Sequence, residues 1–298
     1  MSISQQTAAT AADNHSGTVR MKRKKTRSVI PGFGLSFGIT VSIMSLVVII
    51  PLCSLIVYSS DLTLAEFWDT VTRPRIIASY KVSLLTAFIA SLINAVMGVI
   101  LAWVLVRYEF PGKRIIDGLI EMPFALPTAV AGIALTHLTV QNGPVGSMFS
   151  SLGIDIAYTR IGITVAMVFI GIPFVVRSVQ PVLEKIDAEY EEAAFIMGAS
   201  PLTVFRRVIL PEIRPALAGG FTMAFARCLG EYGSVVFIAG NKPYETEIAP
   251  LAIMSELQEF DYPGATSVAL VMLIMAFIIL FANAVVQSRA NRVINGIN

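Results

Sequence analysis

The chain has 298 residues, of which 55% are hydrophobic and 14% charged. A composition so apolar and so sparsely charged excludes an ordinary soluble domain and points to an integral membrane protein. The net charge of +2 is no argument for nucleic-acid binding, because membrane topology accounts for the cations.

Residues 1–19, rich in Ala, Thr, Ser and Gln, read as disordered and carry no motif. With Arg20, Lys22, Arg23, Lys24, Lys25 and Arg27 they form a basic tail, so the expected division is a disordered tail over 1–30 and a transmembrane domain over 31–298. The apolar run that follows is too long for the core of a signal peptide and is read as a retained first span. Six segments are long enough to cross a bilayer: 34–58, 81–106, 119–139, 161–180, 216–239 and 265–287. Pro51, Pro123, Pro127 and Pro173 fall inside them, where neighbouring helices satisfy the backbone groups that proline frees. Between the first two spans, Leu62, Leu64, Phe67, Trp68 and Val71 form an amphipathic stretch expected to lie along the interface.

Placing the tail inside sorts the loops. Sixteen cations then fall on the inner side, among them Arg107, Lys113, Arg114, Arg177, Lys185, Arg206 and Arg207, against five outside: Arg73, Arg75, Lys81, Arg160 and Lys242. The N-terminus is therefore expected in the cytoplasm. Cys53 and Cys228 lie in apolar segments and read as small core residues, giving neither a disulfide nor a metal framework. His15 lies in the tail, and His137, near the outer end of the third span, reads as packed or interfacial. Asn94 reads as a polar contact between helices. No phosphate-binding glycine loop, metal-ligand cluster or nucleophile–base set is visible, so no cofactor and no catalytic residue is expected and energy must come from elsewhere.

Residues 189–211 form a polar helix-turn-helix between two apolar segments. Asp187 is placed to cap a short helix whose first turn carries Glu189, Glu191 and Glu192, and Gly198 supplies the left-handed residue that closes it. Ser200 caps a second helix, Pro201 occupies its first position and Pro211 ends it. At 100° per residue, Ala193, Ala194, Met197 and Gly198 share one small, flat face. Such a face, held beside acidic residues at the membrane surface, suits insertion into a partner's cleft.

The sequence here resembles the EAA loop of ABC-importer permeases: Glu192-Ala193-Ala194, Gly198, Val208 and Leu210-Pro211 match its pattern, with only Val208 replacing an isoleucine. The resemblance implies a cytoplasmic coupling loop over 184–215 that seats in a separate ATPase through Glu192, Ala193, Ala194, Met197, Gly198, Ala199, Ser200, Pro201, Leu210 and Pro211.

In the fifth span, Arg227 and Glu231 stand four residues apart, expected on one helix face near mid-membrane. Each charge costs about 2.5–3.5 kcal/mol at that depth, so the pair faces protein or water. It reads either as a mutually neutralised packing contact or, with Tyr232 and Ser234, as part of a substrate path. Gly219, Gly220, Gly230 and Gly233 allow helices to approach closely.

Arg227, Gly230-Glu231-Tyr232-Gly233-Ser234, Ala239-Gly240-Asn241, Glu247-Ile248-Ala249-Pro250-Leu251 and Asp261-Tyr262-Pro263-Gly264-Ala265-Thr266 resemble the T-type permeases of sulfate/thiosulfate importers. Phe110-Pro111-Gly112-Lys113 and Met122-Pro123 through Leu126-Pro127-Thr128 are similar to the wider sulfate, molybdate and tungstate branch. The resemblance implies an all-α, six-span permease of the type I importer fold in a bacterial inner membrane. Its partners would be a W-type permease, two ATPase subunits and a periplasmic sulfate/thiosulfate-binding protein. A molybdate or tungstate permease is the alternative within that class. A gradient-driven anion carrier using Glu231 is one of another class, but it leaves the 189–211 loop unexplained.

Overall fold

The computed structural model describes residues 33–295, with side chains described up to Val285 except at Ala188. The basic tail, and the disorder expected of it, lie outside the described residues. Among the described residues all regular secondary structure is helical, as the sequence indicates.

The chain divides at Pro51 into two units. In the first, helix α1 (Phe33–Ser59) begins as a single apolar rod. Its Phe37, Ile43 and Val47 are each more than half exposed, a surface suited to lipid or to another protein. Cys53, expected in the core, is exposed just beyond the division.

In the second unit, α2 (Leu64–Thr72) opens on a complete capping box. The Thr63 hydroxyl accepts from the Glu66 N–H, and the Glu66 carboxylate accepts from the Thr63 N–H and hydroxyl. Those bonds hold the Glu66 carboxyl below its usual range. Val71 turns inward while Trp68 stays 66% exposed, so the amphipathic stretch is a surface helix with an aromatic anchor.

Helix α3 (Pro74–Arg107) begins seven residues before the predicted second span, with proline at its first position. The third span differs more. It is two helices, α4 (Lys113–Ala125) and α5 (Thr128–Thr139), bent by 116°. Pro127 lacks an N–H and forces Leu126 into an extended conformation (φ −86°, ψ 138°), which ends α4 and redirects the chain. A short α6 (Gly146–Ser150) then leads to α7 (Arg160–Lys185), which covers the fourth span.

After α7 come α8 (Ala188–Ile196) and α9 (Pro201–Val204). Pro211 does not end the second helix, as the sequence suggested. The chain stays helical through a π-turn at Phe205–Ile209 into α10 (Leu210–Leu229). The widened turn lets the Leu210 N–H reach the Phe205 carbonyl, and Pro211, at the head of α10, leaves no donor stranded. The fifth span, expected over 216–239, is thus displaced toward the N-terminus and stops at Gly230. Only a turn, α11 (Val235–Ile238), follows before α12 (Ala249–Gln258) and α13 (Tyr262–Asn295).

Among the described residues, α1, α3, α7 and α13 are long and apolar enough to cross a membrane, and the bent α4–α5 pair makes a fifth candidate. Helix α10 falls short of the same apolarity because Glu212, Arg214 and Arg227 interrupt its 20 residues.

Helices α3, α7 and α10 form the core. Val175 of α7 fills the notch at Gly98, Asn94 of α3 fills that at Gly171, and Gly220 of α10 lies against Val175 and Ser178. Without side chains at these glycines the backbones approach closely, which is how helices associate where lipid offers no hydrophobic drive. The pairing runs α3 parallel to α7 and α10 antiparallel to both. Asn94 is fully buried at this crossing, and neither polar atom of its amide has a partner.

Candidate functional site

The 189–211 loop is clamped to the bundle by contacts distant in sequence. Arg107, at the end of α3, pairs with Glu191 at 2.6 Å and donates to the Ile186 carbonyl at 3.1 Å. Its guanidinium lies 5.8 Å from the centre of the Trp103 ring, and Trp103 meets Phe205 edge-on at 6.1 Å. In the sequence Arg107 reads only as a topological cation and Glu191 only as a helix-dipole carboxylate. Their partnership spans 84 residues and leaves no local signal.

Asp187 has the extended backbone of a cap (φ −62°, ψ 133°), but its side chain makes no capping bond, contrary to expectation. The far end of α8 is as expected. Gly198 is left-handed at φ +81°, the Ala199 N–H reaches the Ala194 carbonyl at 3.0 Å, and the Gly198 N–H reaches Phe195 at 2.9 Å. This double bond pattern closes the helix and fixes the turn. Ser200 then caps α9, its hydroxyl accepting from the Thr203 N–H at 3.4 Å, with Pro201 next.

The face expected for docking divides in two. Ala194 is 6% exposed and belongs to the interior, packed with Val204, Ile209 and Ile213. Ala199, Leu210 and Pro211 are half-buried. Glu192, Ala193, Gly198, Ser200 and Pro201 face outward, and the apolar surface comes from residues the pattern underweighted: Ile196 at 87%, Met197 at 80% and Leu202 at 64% exposure. Helical angles alone placed Ala193 and Ala194 on one face; burial of the second against α10 separates them.

The Arg227–Glu231 pair is present, but not in mid-helix. Cys228 donates to the Met167 carbonyl, which sets Arg227 roughly 10 Å along α7 from its first residue, toward the end opposite the loop. Helix α10 ends at Leu229, so Glu231 lies in the turn beyond it. Arg227 Nη1 reaches Glu231 Oε2 at 2.5 Å, while Glu231 Oε1 accepts from the Ser234 N–H at 2.9 Å and the Ser234 hydroxyl at 3.0 Å. The Glu231 side chain is 2% exposed and that of Arg227 is 35% exposed. A buried carboxylate with three donors pins the turn, while the guanidinium keeps free surface. Tyr232 is half-buried and Ser234 fully buried.

Close packing fixes this turn from the other side too. Gly233 lies against Thr128, and Gly132 against the Ser234 backbone, where a side chain would collide. The bend at Leu126–Pro127 therefore delivers the start of α5 to the turn. Gly219 and Gly230, expected at close contacts, have open space beside them. His137 is exposed at the end of α5.

A family model described as "Binding-protein-dependent transport system inner membrane component" matches residues 94–294, from Asn94 in the three-helix core through the loop, the turn and α13. The chain belongs to that family. Such a component is a permease, the non-enzymatic membrane subunit of an ABC importer, and it crosses the inner membrane several times. Similar curated proteins include the sulfate transport system permease protein CysT of Salmonella typhimurium, 48% identical over 91% of this chain and 98% of that protein. CysT of Escherichia coli is 46% identical over the same shares, and CysT of Synechocystis is 44% identical over 86% of this chain and 90% of its own. Among solved structures, a bacterial ABC transporter importing the acidic polysaccharide alginate superposes with a TM-score of 0.71 at 18% identity, covering 86% of this chain and 96% of that one. The MetNI methionine ABC transporter gives 0.56 at 18% identity, covering 77% and 99%. At these identities the likeness establishes the fold, the type I permease architecture.

Proposed function

We propose that this permease moves sulfate or thiosulfate into the cytoplasm as one half of a pseudo-symmetric pore. A W-type permease forms the other half, two ATPase subunits drive it and a periplasmic binding protein delivers the anion. The observation that carries this reading is the rigid loop with Ile196, Met197 and Leu202 exposed at one end of the bundle. An apolar knob anchored by Arg107 and closed by Gly198 is suited to a cleft in an ATPase. The names of the CysT relatives support the substrate, and the charge asymmetry supports a cytoplasmic loop and N-terminus.

In this reading ATP-driven closure of the ATPases draws the two loops together, and α10 carries that movement to the 230–234 turn because the second half of the loop, from Pro201, runs into α10 as one continuous helical stretch. A dianion leaving water needs donors or positive charge along its route. Arg227 supplies both. Its Nη1 is held by Glu231, and the exposed remainder of the guanidinium meets the path. Glu231 and Ser234 position it, and the permease itself makes and breaks no covalent bond.

Uptake of radiolabelled sulfate tests this, in cells lacking their own sulfate permeases and supplied with this chain, a W-type permease, the ATPase and the binding protein. Uptake is expected to require ATP and the ATPase, and the ATPase is expected to co-purify with the detergent-extracted chain. Uptake that survived removal of the ATPase and tracked the proton gradient would restore the gradient-driven carrier. Uptake of molybdate in preference to sulfate would redirect the substrate.

A further inference from the structure

Between α3 and α7, at the end of the bundle opposite the loop, lies an open groove of about 500 Å³. Leu85, Ile89 and Ile93 form one wall; Ile161, Val165 and Val168 form the other. Two hydroxyls lie within it, yet neither offers a free donor. Thr86 donates to the Val82 carbonyl at 2.7 Å and Thr164 to the Arg160 carbonyl at 2.9 Å, each within its own helix. The lining is therefore apolar in effect as well as in composition.

The mouth is different. Arg160 stands there, its Nε donating to the Glu245 carbonyl at 2.6 Å and its Nη2 to the Tyr244 carbonyl at 3.2 Å. Both acceptors are neutral backbone groups, and the Glu245 carboxylate is not among them, so the guanidinium is held in place without being neutralised. Among the described residues Arg160 forms no ion pair. Lys81 is one turn before Leu85, on the same face of α3 and at the level where α7 begins, and it too lacks a described carboxylate partner. Two unneutralised cations thus head an apolar furrow. From Leu85 to Ile93 and from Arg160 to Val168 the furrow runs eight residues, about 12 Å, close to the roughly 15 Å depth of one leaflet of bilayer hydrocarbon.

We propose that this groove is a binding site for one anionic phospholipid, with an acyl chain between α3 and α7 and its phosphate on Arg160 and Lys81. A partner helix would fill the apolar walls but would leave both cations at the headgroup level without an anion. A lipid meets both requirements with one molecule. Such a lipid would brace the α3–α7 contact beside Asn94 and Gly171.

The test uses the intact transporter complex extracted in mild detergent and titrated with phosphatidylglycerol, with retained lipid read by native mass spectrometry. Arg160→Gln is expected to weaken retention about fivefold, the factor one cation contributes near an anionic headgroup. Ile89→Trp, which fills the groove without touching charge, is expected to weaken it at least as much. Phosphatidylethanolamine should compete poorly. Unchanged retention in both variants, or equal binding of the two lipids, overturns the proposal. A photoreactive benzoylphenylalanine at Ile89 reads the occupant directly and needs no loss of function: a crosslink adding one phospholipid mass supports the site. A crosslink to a polypeptide, whether partner permease or second copy, eliminates it.

Discussion

Arg75 grips Glu247 with two parallel hydrogen bonds, Nε to Oε2 at 2.9 Å and Nη2 to Oε1 at 2.6 Å, joining the start of α3 to the loop before α12. The Glu247 side chain is 1% exposed, and next to it the Ser83 hydroxyl accepts the Ala249 N–H at 2.7 Å. Removing one member of such a pair strands the other, at a cost of about 3–5 kcal/mol for a buried charge. Arg75→Met is therefore expected to lower the melting temperature of the purified complex sharply. The double replacement Arg75→Met with Glu247→Met is expected to recover most of the loss. A single variant as stable as the parent would show that the bidentate pair contributes nothing.

The second pair separates folding from transport. Arg227→Met alone leaves the Glu231 carboxylate buried with only Ser234 as donor and is expected to reduce assembly. Adding Glu231→Gln removes the charge while its amide oxygen still accepts from Ser234, so the double variant should fold. If Arg227 lies on the anion's path as proposed, sulfate uptake is expected to stay below about a tenth of normal, as loss of a charge-assisted bond of roughly 1.5–3 kcal/mol implies. Normal uptake by a well-folded double variant would reduce both residues to structural supports.

Gly198 offers a test of conformation free of packing. A side chain there meets nothing within 4 Å, so its effect must come from φ of +81°. Gly198→Val is expected to cost about 1–2 kcal/mol and to impair coupling of ATP hydrolysis to uptake. Asparagine tolerates this region, so Gly198→Asn should retain most activity. Equal loss in both would assign the glycine a role in contact instead.

Topology is open to chemical labelling. In a chain stripped of Cys53 and Cys228, single cysteines at Ile196 or Met197 are expected to react with an impermeant maleimide only from the cytoplasmic side, and to be protected by bound ATPase. Ala194→Cys, at a position 6% exposed, should stay unreactive from either side. Labelling at Met197 from outside sealed cells would invert the proposed orientation.

What the sequence made legible follows from how local each determinant is. Gly198, Ser200 and Pro201 act within one turn of themselves, and each stands where the pattern put it. Apolar length located α1, α3, α7 and α13, with α1 matched within a residue at each end, while α3 starts seven residues early, α7 ends five residues late and α13 ends eight residues late. The misplacement of α10 has a specific cause. By the rules of an α-helix Pro211 is a stop, whereas a π-turn just before it supplies a register in which proline sits at a helix start. The shift moves Arg227 from the middle of the predicted span to the end of α10. Arg75 with Glu247 and Arg107 with Glu191 were out of reach, since nothing short of the fold brings residues 172 or 84 positions apart together.

The run from Pro201 to Leu229 is unbroken and meets α7 closely at Gly220; in the proposed mechanism that contact would serve as a fulcrum. Nineteen residues, or about 28 Å, lie on the loop side of that contact, and nine residues, about 14 Å, on the side of Arg227. A rod held there trades travel for force at roughly two to one. A swing of about 4 Å at the loop becomes about 2 Å in the opposite sense at the far tip, delivered with twice the push. That is a gearing suited to prising a dry, tightly packed turn apart, and Gly220→Ala, by shifting the bearing rather than either end, would alter the ratio itself.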